Sequence, residues 1–192
     1  MYSYILASKS PRRKELLENI GMTFSVVESS FDESTVSKEL EVPLYVQELA
    51  LCKAMSLVKK SPKDSLIIGA DTVVEFNGQI LGKPADRGEA IEMLSNLSGN
   101  VHYVYTGVAV VRSNDAKSSA SYEKTAVYFD NISREEIEYY VDNFSVLDKA
   151  GAYGIQEYAG VFVKKIEGDY FNIVGLPVCL LYKIISKEFG EE

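Results

Sequence analysis

The stretch Leu66-Ile67-Ile68-Gly69-Ala70-Asp71-Thr72-Val73-Val74-Glu75-Phe76-Asn77-Gly78-Gln79-Ile80-Leu81 carries two opposite instructions. From Leu66 to Ala70 it is continuously apolar, as a strand covered on both faces must be, and it ends on a carboxylate, Asp71, where such a strand reaches the edge of its sheet. Val73 to Phe76 and Gln79 to Leu81 then flank Asn77-Gly78, the dipeptide suited to a two-residue hairpin turn because both residues accept positive φ. A parallel-type buried strand that runs into an antiparallel hairpin requires a mixed sheet. The expected architecture is therefore α/β: a mixed twisted sheet flanked by helices, with a central cleft between two lobes.

Upstream, Ile5-Leu6-Ala7-Ser8-Lys9-Ser10-Pro11-Arg12-Arg13-Lys14-Glu15-Leu16-Leu17 reads as a short strand, a polar loop and the start of a helix. Ser10 is the N-cap, Pro11 the first helical residue, Leu16, Leu17 and Ile20 recur at helical spacing, and Gly21 is the stop. Helix N-termini favour acidic residues, yet here Arg12 and Arg13 occupy the first turn and Lys9 precedes it. Free amides, the Ser8 and Ser10 hydroxyls and the guanidinium forks would donate together to a phosphate. The same spacing also fits a solvated basic patch on an amphipathic helix. Thr23 to Val27 alternates as a strand, and Glu28 to Ser34 is a polar acidic loop that presents Asp32 and Glu33. A helix from Pro43 to about Lys59 has Val46, Leu49, Ala50, Ala54 and Leu57 on its apolar face. Lys53 falls on that same face and must snorkel, pair with a carboxylate or reach into a cleft.

Downstream, the hairpin's return strand delivers Gly82-Lys83-Pro84, an exposed loop lysine on spacing alone. Asp86 with Glu89 and Ser133 with Glu136 mark capping boxes, the first opening a helix through Ala90, Ile91, Leu94 and Leu97, the second one through Ile137, Tyr140 and Val141. Val101 to Arg112 and Ser119 to Phe129 read as a long antiparallel pair. His102 is the one histidine of the chain; it could serve as a base or ligand, but with no cysteine or second histidine beside it a structural role is the favoured reading. Asp148-Lys149-Ala150-Gly151-Ala152-Tyr153-Gly154-Ile155-Gln156 is a small-residue loop that permits close approach of backbone to a ligand. Gly160 to Ile166 reads as strand, Gly168-Asp169-Tyr170 as a turn, and Gly175-Leu176-Pro177 as the start of a last helix that packs Val178, Leu181, Ile184 and Ile185 inward.

With 192 residues the chain has room for one two-lobed domain, spanning 1–192, and for no second independent one. A net charge of −8 and a pI near 4.9 argue against nucleic acid and against an anionic membrane as partners, since both reward a basic surface. No apolar run approaches the roughly 20 residues of a membrane span, and no leader-like segment opens the chain, so a cytoplasmic location is expected. Cys52 and Cys179 sit in apolar helical patterns without metal spacing and read as buried thiols.

Phosphate-loop, dinucleotide-fold, zinc-protease and esterase signatures are all missing. What remains is a cationic set, Arg12, Arg13, Lys53 and Lys83, two separated carboxylates, Glu33 and Asp71, and the glycine-containing loop. Cations clamp phosphates, and carboxylates hold a divalent metal and activate water, so the combination suits hydrolysis within a polyphosphate.

The blocks Ala7-Ser8 with Ser10 to Arg13 and Glu15 to Leu17, Gly69 to Val74, Gly82-Lys83-Pro84, Leu97-Ser98-Gly99 with Thr106-Gly107-Val108, Asp148 to Gln156, and Val174 to Pro177 resemble, in order and over essentially the whole chain, the Maf family of nucleoside triphosphate pyrophosphatases, also called septum-formation inhibitors. The resemblance implies a fold like that of the inosine triphosphate pyrophosphatases, cleavage between the α- and β-phosphates, a Mg²⁺ or Mn²⁺ requirement and a homodimer. It implies Asp71 as general base, Glu33 and Asp71 as metal ligands, Lys53 and Lys83 as catalytic cations, and Ser8, Arg12 and Arg13 as substrate contacts. Asp32 adjoins Glu33 as the alternative carboxylate of its loop. Arg12, Thr72 and Gln156 look like the subgroup acting on dTTP and UTP, whereas the 7-methyl-GTP type carries Trp, Gln and Glu at the matching places. Gln156 offers both a donor and an acceptor, which suits the adjacent N3–H and carbonyl oxygens of uracil or thymine. The rival expectation is a nucleotide-binding regulator of septum formation without turnover.

Overall fold

The computed structural model describes residues 2–190. The chain runs β1 (Ser3–Leu6), α1 (Pro11–Asn19), β2 (Phe24–Val26), α2 (Val42–Met55), β3 (Ser65–Phe76), β4 (Gln79–Leu81), α3 (Arg87–Leu97), β5 (Val101–Arg112), β6 (Ser118–Phe129), α4 (Arg134–Asn143), β7 (Val163–Glu167), α5 (Tyr170–Val174) and α6 (Val178–Phe189). Short 3-10 turns lie at Glu33–Thr35, Val58–Lys60, Ala150–Ala152 and Tyr158–Phe162. Among the described residues seven strands share one sheet in the order β2-β1-β3-β5-β6-β7, with β4 beside β3. The sheet is mixed: β1 is parallel to both β2 and β3, whereas β3–β4 and β6–β7 are antiparallel.

Contacts divide the chain into two compact units, Met1–Asp71 with Thr106–Glu123 and Gly175–Glu192, and Thr72–Tyr105 with Lys124–Val174. In the first, Ile5, Ala7, Ala54, Leu57, Ile67 and Val111 form a buried cluster against which Leu51 and Val58 pack. The helix α2 lies directly on strand backbone there. A Cβ added at Gly69 would stand 2.1 Å from the Ala50 carbonyl oxygen, and one at Gly107 would stand 2.1 Å from that of Val46. Glycine at these two positions sets the height of α2 over the sheet, and with it the height of Lys53. In the second unit α3, α4 and the aromatic residues Phe129, Tyr140, Tyr153 and Phe162 surround one core, with Phe129 and Tyr153 packed edge to face, 4.9 Å between ring centroids.

Local signals work where the sequence placed them. Ser10 caps α1 by accepting from the Arg13 amide, Asp86 caps α3, and Ser133 and Glu136 close a reciprocal capping box on α4. At α3 the reciprocal half shifts by one residue, because Glu89 accepts from the Ala85 amide instead of that of Asp86. Asn77, at φ 52°, and Gly78 turn the β3–β4 hairpin, with Phe76 opposite Gln79.

Several expectations need correction. Cys179 is exposed and Cys52 only half-buried, because both lie beside the apolar stripes of their helices and not on them. Cys52 Sγ meets Glu48, and burial followed by that carboxylate pushes its thiol pKa up to about 11, so it is an inert thiol. Ile20 falls beyond α1 and is exposed. The long second helix stops at Met55 and continues only as the 3-10 turn Val58–Lys60. The strand expected from Gly160 begins at Val163, after the 3-10 turn Tyr158–Phe162, and residues expected to leave a turn at Tyr170 form the short helix α5.

Candidate functional site

In the first unit the middle of β3, the face of α2 and the loop after β2 converge on one ammonium; β3 runs on past Asp71 to Phe76, so the carboxylate does not end its strand as the apolar run suggests. Lys53 Nζ donates to Asp71 Oδ1 at 2.5 Å and lies 2.8 Å from Glu33 Oε1. The Lys53 and Asp71 side chains are each 12% exposed, whereas Glu33 is 57% exposed, so one carboxylate is fixed in the sheet and the other is brought to it from the surface. Of the three courses open to a lysine on an apolar stripe, Lys53 takes pairing. Between the two candidate loop carboxylates the geometry separates roles: Glu33 reaches Lys53, while Asp32 Oδ1 is occupied by the Ser34 amide at 3.0 Å and hydroxyl at 2.7 Å as the cap of the 3-10 turn Glu33–Thr35. Those bonds hold the Asp32 carboxyl below its ordinary pKa.

The start of α1 is built around Arg13. Its Nε donates to the Gly175 carbonyl at 2.8 Å, its Nη1 to Ser8 Oγ at 3.2 Å, and the Ser10 amide donates to that same oxygen at 3.2 Å. Two of the guanidinium's donors are thereby spent on orienting it. Burial lowers the Arg13 pKa; Asp71 and Glu33 oppose that and Arg12 reinforces it, so the two arginines and the two carboxylates share one electrostatic neighbourhood. Ser8 acts here as an acceptor that organises Arg13 and the loop. Lys9 turns away to an ion pair with Glu28.

Tyr45 belongs to the same neighbourhood and was not singled out in the sequence. It is buried on α2, and its hydroxyl pKa is raised by burial first and then by Asp71 and Glu33. The signal existed: positions 45, 49 and 53 follow one another at helical spacing, so Tyr45 and Lys53 stand on one stripe.

The remaining candidates fall in the second unit. Thr72 follows Asp71 on β3 and is half-buried, Lys83 is exposed just after β4, and Gln156 is exposed in the turn after Tyr153. Within this unit the Gly151 amide donates to the Gly82 carbonyl at 3.0 Å, which ties the Gln156 loop to the residue preceding Lys83.

The structure brings Glu33 and Asp71 together through Lys53. Among the described residues no group of three or more His, Cys, Asp or Glu side chains stands ready for a cation. A pair of carboxylates fits a hard divalent cation of the kind that completes its shell with substrate phosphates and water.

The site therefore belongs to the class of mixed α/β proteins in which a strand carboxylate and a helix lysine pair beside a basic helix start, and a solved structure bears out the fold. The Ham1 protein of Staphylococcus aureus is similar at a TM-score of 0.54 over 97% of this chain and 99% of its own, at 16% identity. The chain itself belongs to the Maf family: residues 3–188 match the family described as Maf-like protein. It is 49% identical to a dTTP/UTP pyrophosphatase of Thermoanaerobacter sp. (strain X514) over 96% of each chain. It is also 51% identical, over 95% of each, to a dTTP/UTP pyrophosphatase of Clostridium novyi (strain NT).

Proposed function

We propose that the protein hydrolyses dTTP and UTP to the nucleoside monophosphate and pyrophosphate, as the names of its relatives say of them. The observation that carries this reading is the Lys53 ammonium held between the strand carboxylate Asp71 and the loop carboxylate Glu33, in the electrostatic neighbourhood of Arg12 and Arg13. A water oxygen attacks the α-phosphorus, the bond from that phosphorus to the α,β-bridging oxygen breaks, and pyrophosphate leaves with the electron pair. Asp71 accepts the water proton, and Lys53 fixes the carboxylate that receives it. Arg13, oriented by Ser8 and the Gly175 carbonyl, contacts phosphate oxygens together with Arg12. Glu33 and Asp71 would hold a Mg²⁺ or Mn²⁺ ion, which when bound neutralises phosphate charge and lowers the pKa of bound water. The resemblance assigns Lys83 to phosphate contact, and Thr72 and Gln156 to the base.

The deciding experiment measures pyrophosphate release from UTP, dTTP, CTP and GTP with Mg²⁺ or Mn²⁺ present. Release from UTP and dTTP in preference to the other two is the expected result. Tight nucleotide binding without release would overturn hydrolysis in favour of a nucleotide-binding regulator.

A further inference from the structure

The second unit holds a buried cation that the proposed chemistry does not use. Lys149 is 3% exposed, yet its ammonium is satisfied three times: by Asp148 Oδ1 at 3.0 Å, by Glu157 Oε1 at 3.2 Å and by the Ser145 carbonyl. These partners lie on both sides of Gln156 in sequence, so one side chain closes the whole segment 145–157. The stem is packed as firmly as the head. A Cβ on Gly154 would stand 2.7 Å from Lys149 Cε and 3.0 Å from Cδ, so the backbone two residues before Gln156 rests on the lysine's methylenes.

The same segment stores backbone strain. Gly151 at φ 68° and Ala152 at φ 63° are both left-handed, which for alanine persists only when its surroundings hold it there. The holding bonds are visible: Ala152 donates to the Lys149 carbonyl at 3.1 Å, Gly151 to Gly82 at 3.0 Å, and the Gly154 amide to the Tyr140 hydroxyl at 3.2 Å. A loop needed only as a connection requires none of this, and a lysine is a costly strut where an apolar side chain would fill the space. The cost is intelligible if the loop must hold one exposed side chain in one place.

We propose that Lys149 is a positioning residue for base recognition: by closing the 145–157 loop on its ammonium and supporting Gly154 on its stem, it fixes where Gln156 is presented. This rests on the assignment of Gln156 to the base. Lys149 touches no reacting atom and acts through Gln156, so its removal should change which nucleotide is preferred more than how fast the phosphate chemistry runs.

The test compares kcat and KM for UTP, dTTP, CTP and GTP in wild type, Lys149→Met, Gln156→Ala and the double variant. Lys149→Met keeps the stem, and Asp148 and Glu157, 51% and 39% exposed, can take up water in place of the ammonium. We expect the preference for UTP and dTTP to fall about ten-fold, the range associated with one lost buried polar contact, chiefly through KM. In the double variant the two losses should not add, since both remove one function. A Lys149→Met protein that keeps its preference while Gln156→Ala loses it reduces Lys149 to a structural strut and overturns the proposal alone. A Gln156→Ala protein with unchanged preference overturns the base assignment itself, and the positioning role with it. If Lys149→Met does not fold, Glu157→Gln removes the charge of one partner at a partly exposed position and should shift the preference in the same direction by a smaller factor; no shift there also overturns the proposal.

Discussion

Each unit of this protein contains a lysine set between two carboxylates, and the two lysines are unlike in every respect that bears on function. Lys53 takes its partners from different elements, Asp71 from the middle of a buried strand and Glu33 from a surface loop. Lys149 takes Asp148, Glu157 and the Ser145 carbonyl from its own loop. A network assembled from distant elements places charge at a point in space; a network closed within one loop fixes the shape of that loop. The first suits chemistry on a substrate, the second the presentation of a neighbouring side chain. Removing charge from each should therefore damage different kinetic quantities.

The largest effect belongs to the strand carboxylate. Asp71→Asn preserves shape and removes the base, and pyrophosphate release from UTP should fall by roughly 10² or more while nucleotide binding survives. Equal release by the variant would remove Asp71 from the chemistry. Lys53→Met keeps the methylene stem and should lower kcat/KM for every nucleotide by a similar factor of about 10–10², because the ammonium serves the phosphates and not the base. Should Lys53→Met alter base preference instead, the contrast with Lys149 would collapse.

The next effect is on packing. Gly69→Ala would push a methyl against the Ala50 carbonyl oxygen, which helical backbone cannot yield, whereas Gly154→Ala meets side-chain methylenes of Lys149 and no backbone. Thermal or urea unfolding should register a loss of about 1–3 kcal/mol for Gly69→Ala, the usual cost of overpacking, and a smaller one for Gly154→Ala. Because Gly69 sets the height of α2 over β3, Gly69→Ala should also lower turnover through Lys53, with base preference unchanged. Similar stability for both variants would mean that the close approach at Gly69 is relieved without moving the helix.

How much of this was legible follows the range of the interaction. Hairpin, caps and helix stripes depend on residues within a few positions of one another, and Asn77-Gly78, Ser133 with Glu136, and Leu49 with Ala54 behave as their spacing requires. That Lys53 must do something with its charge was also readable. Which carboxylates it meets was not, because Glu33 and Asp71 are twenty and eighteen residues away and meet it only once β3, α2 and the loop are assembled. Both carboxylates stood out as candidates in the sequence, but nothing in their spacing says that they meet on Lys53. Lys149 went unread for a different reason: small residues around it suggested ligand approach, while Asp148 and Glu157 signalled that its charge would be spent inside the loop. Exposure of Cys179 was missed because a residue beside an apolar stripe shares its composition but not its face.

The smallest effect concerns acid, and it falls on the second unit alone, since His102 is the chain's one histidine. It is fully buried, its Nε2 is 2.8 Å from the Tyr153 hydroxyl, and no hydrogen-bond partner for Nδ1 is found among the described residues. Burial pushes its pKa down to about 4. A histidine whose folded pKa lies below its unfolded value stabilises the fold fully above the unfolded pKa, near 6.5, and loses that contribution as pH falls toward the folded one, because only the unfolded chain takes up the proton. Stability should thus drop by about 1 kcal/mol between roughly pH 7 and pH 5.5 on this account. His102→Gln keeps a hydrogen-bonding partner for Tyr153 and does not titrate, so its stability should flatten across that interval. Tyr153 leads into the Gln156 turn, so the mildest acid effect on the native protein should be on the loop: in hydrogen exchange near pH 5.5, amides of 150–157 should gain exchange relative to His102→Gln, while those around Lys53 on α2 should not. Equal loosening of both regions would show that the two lysine networks share one cooperative unit, and the contrast between them would then be kinetic only.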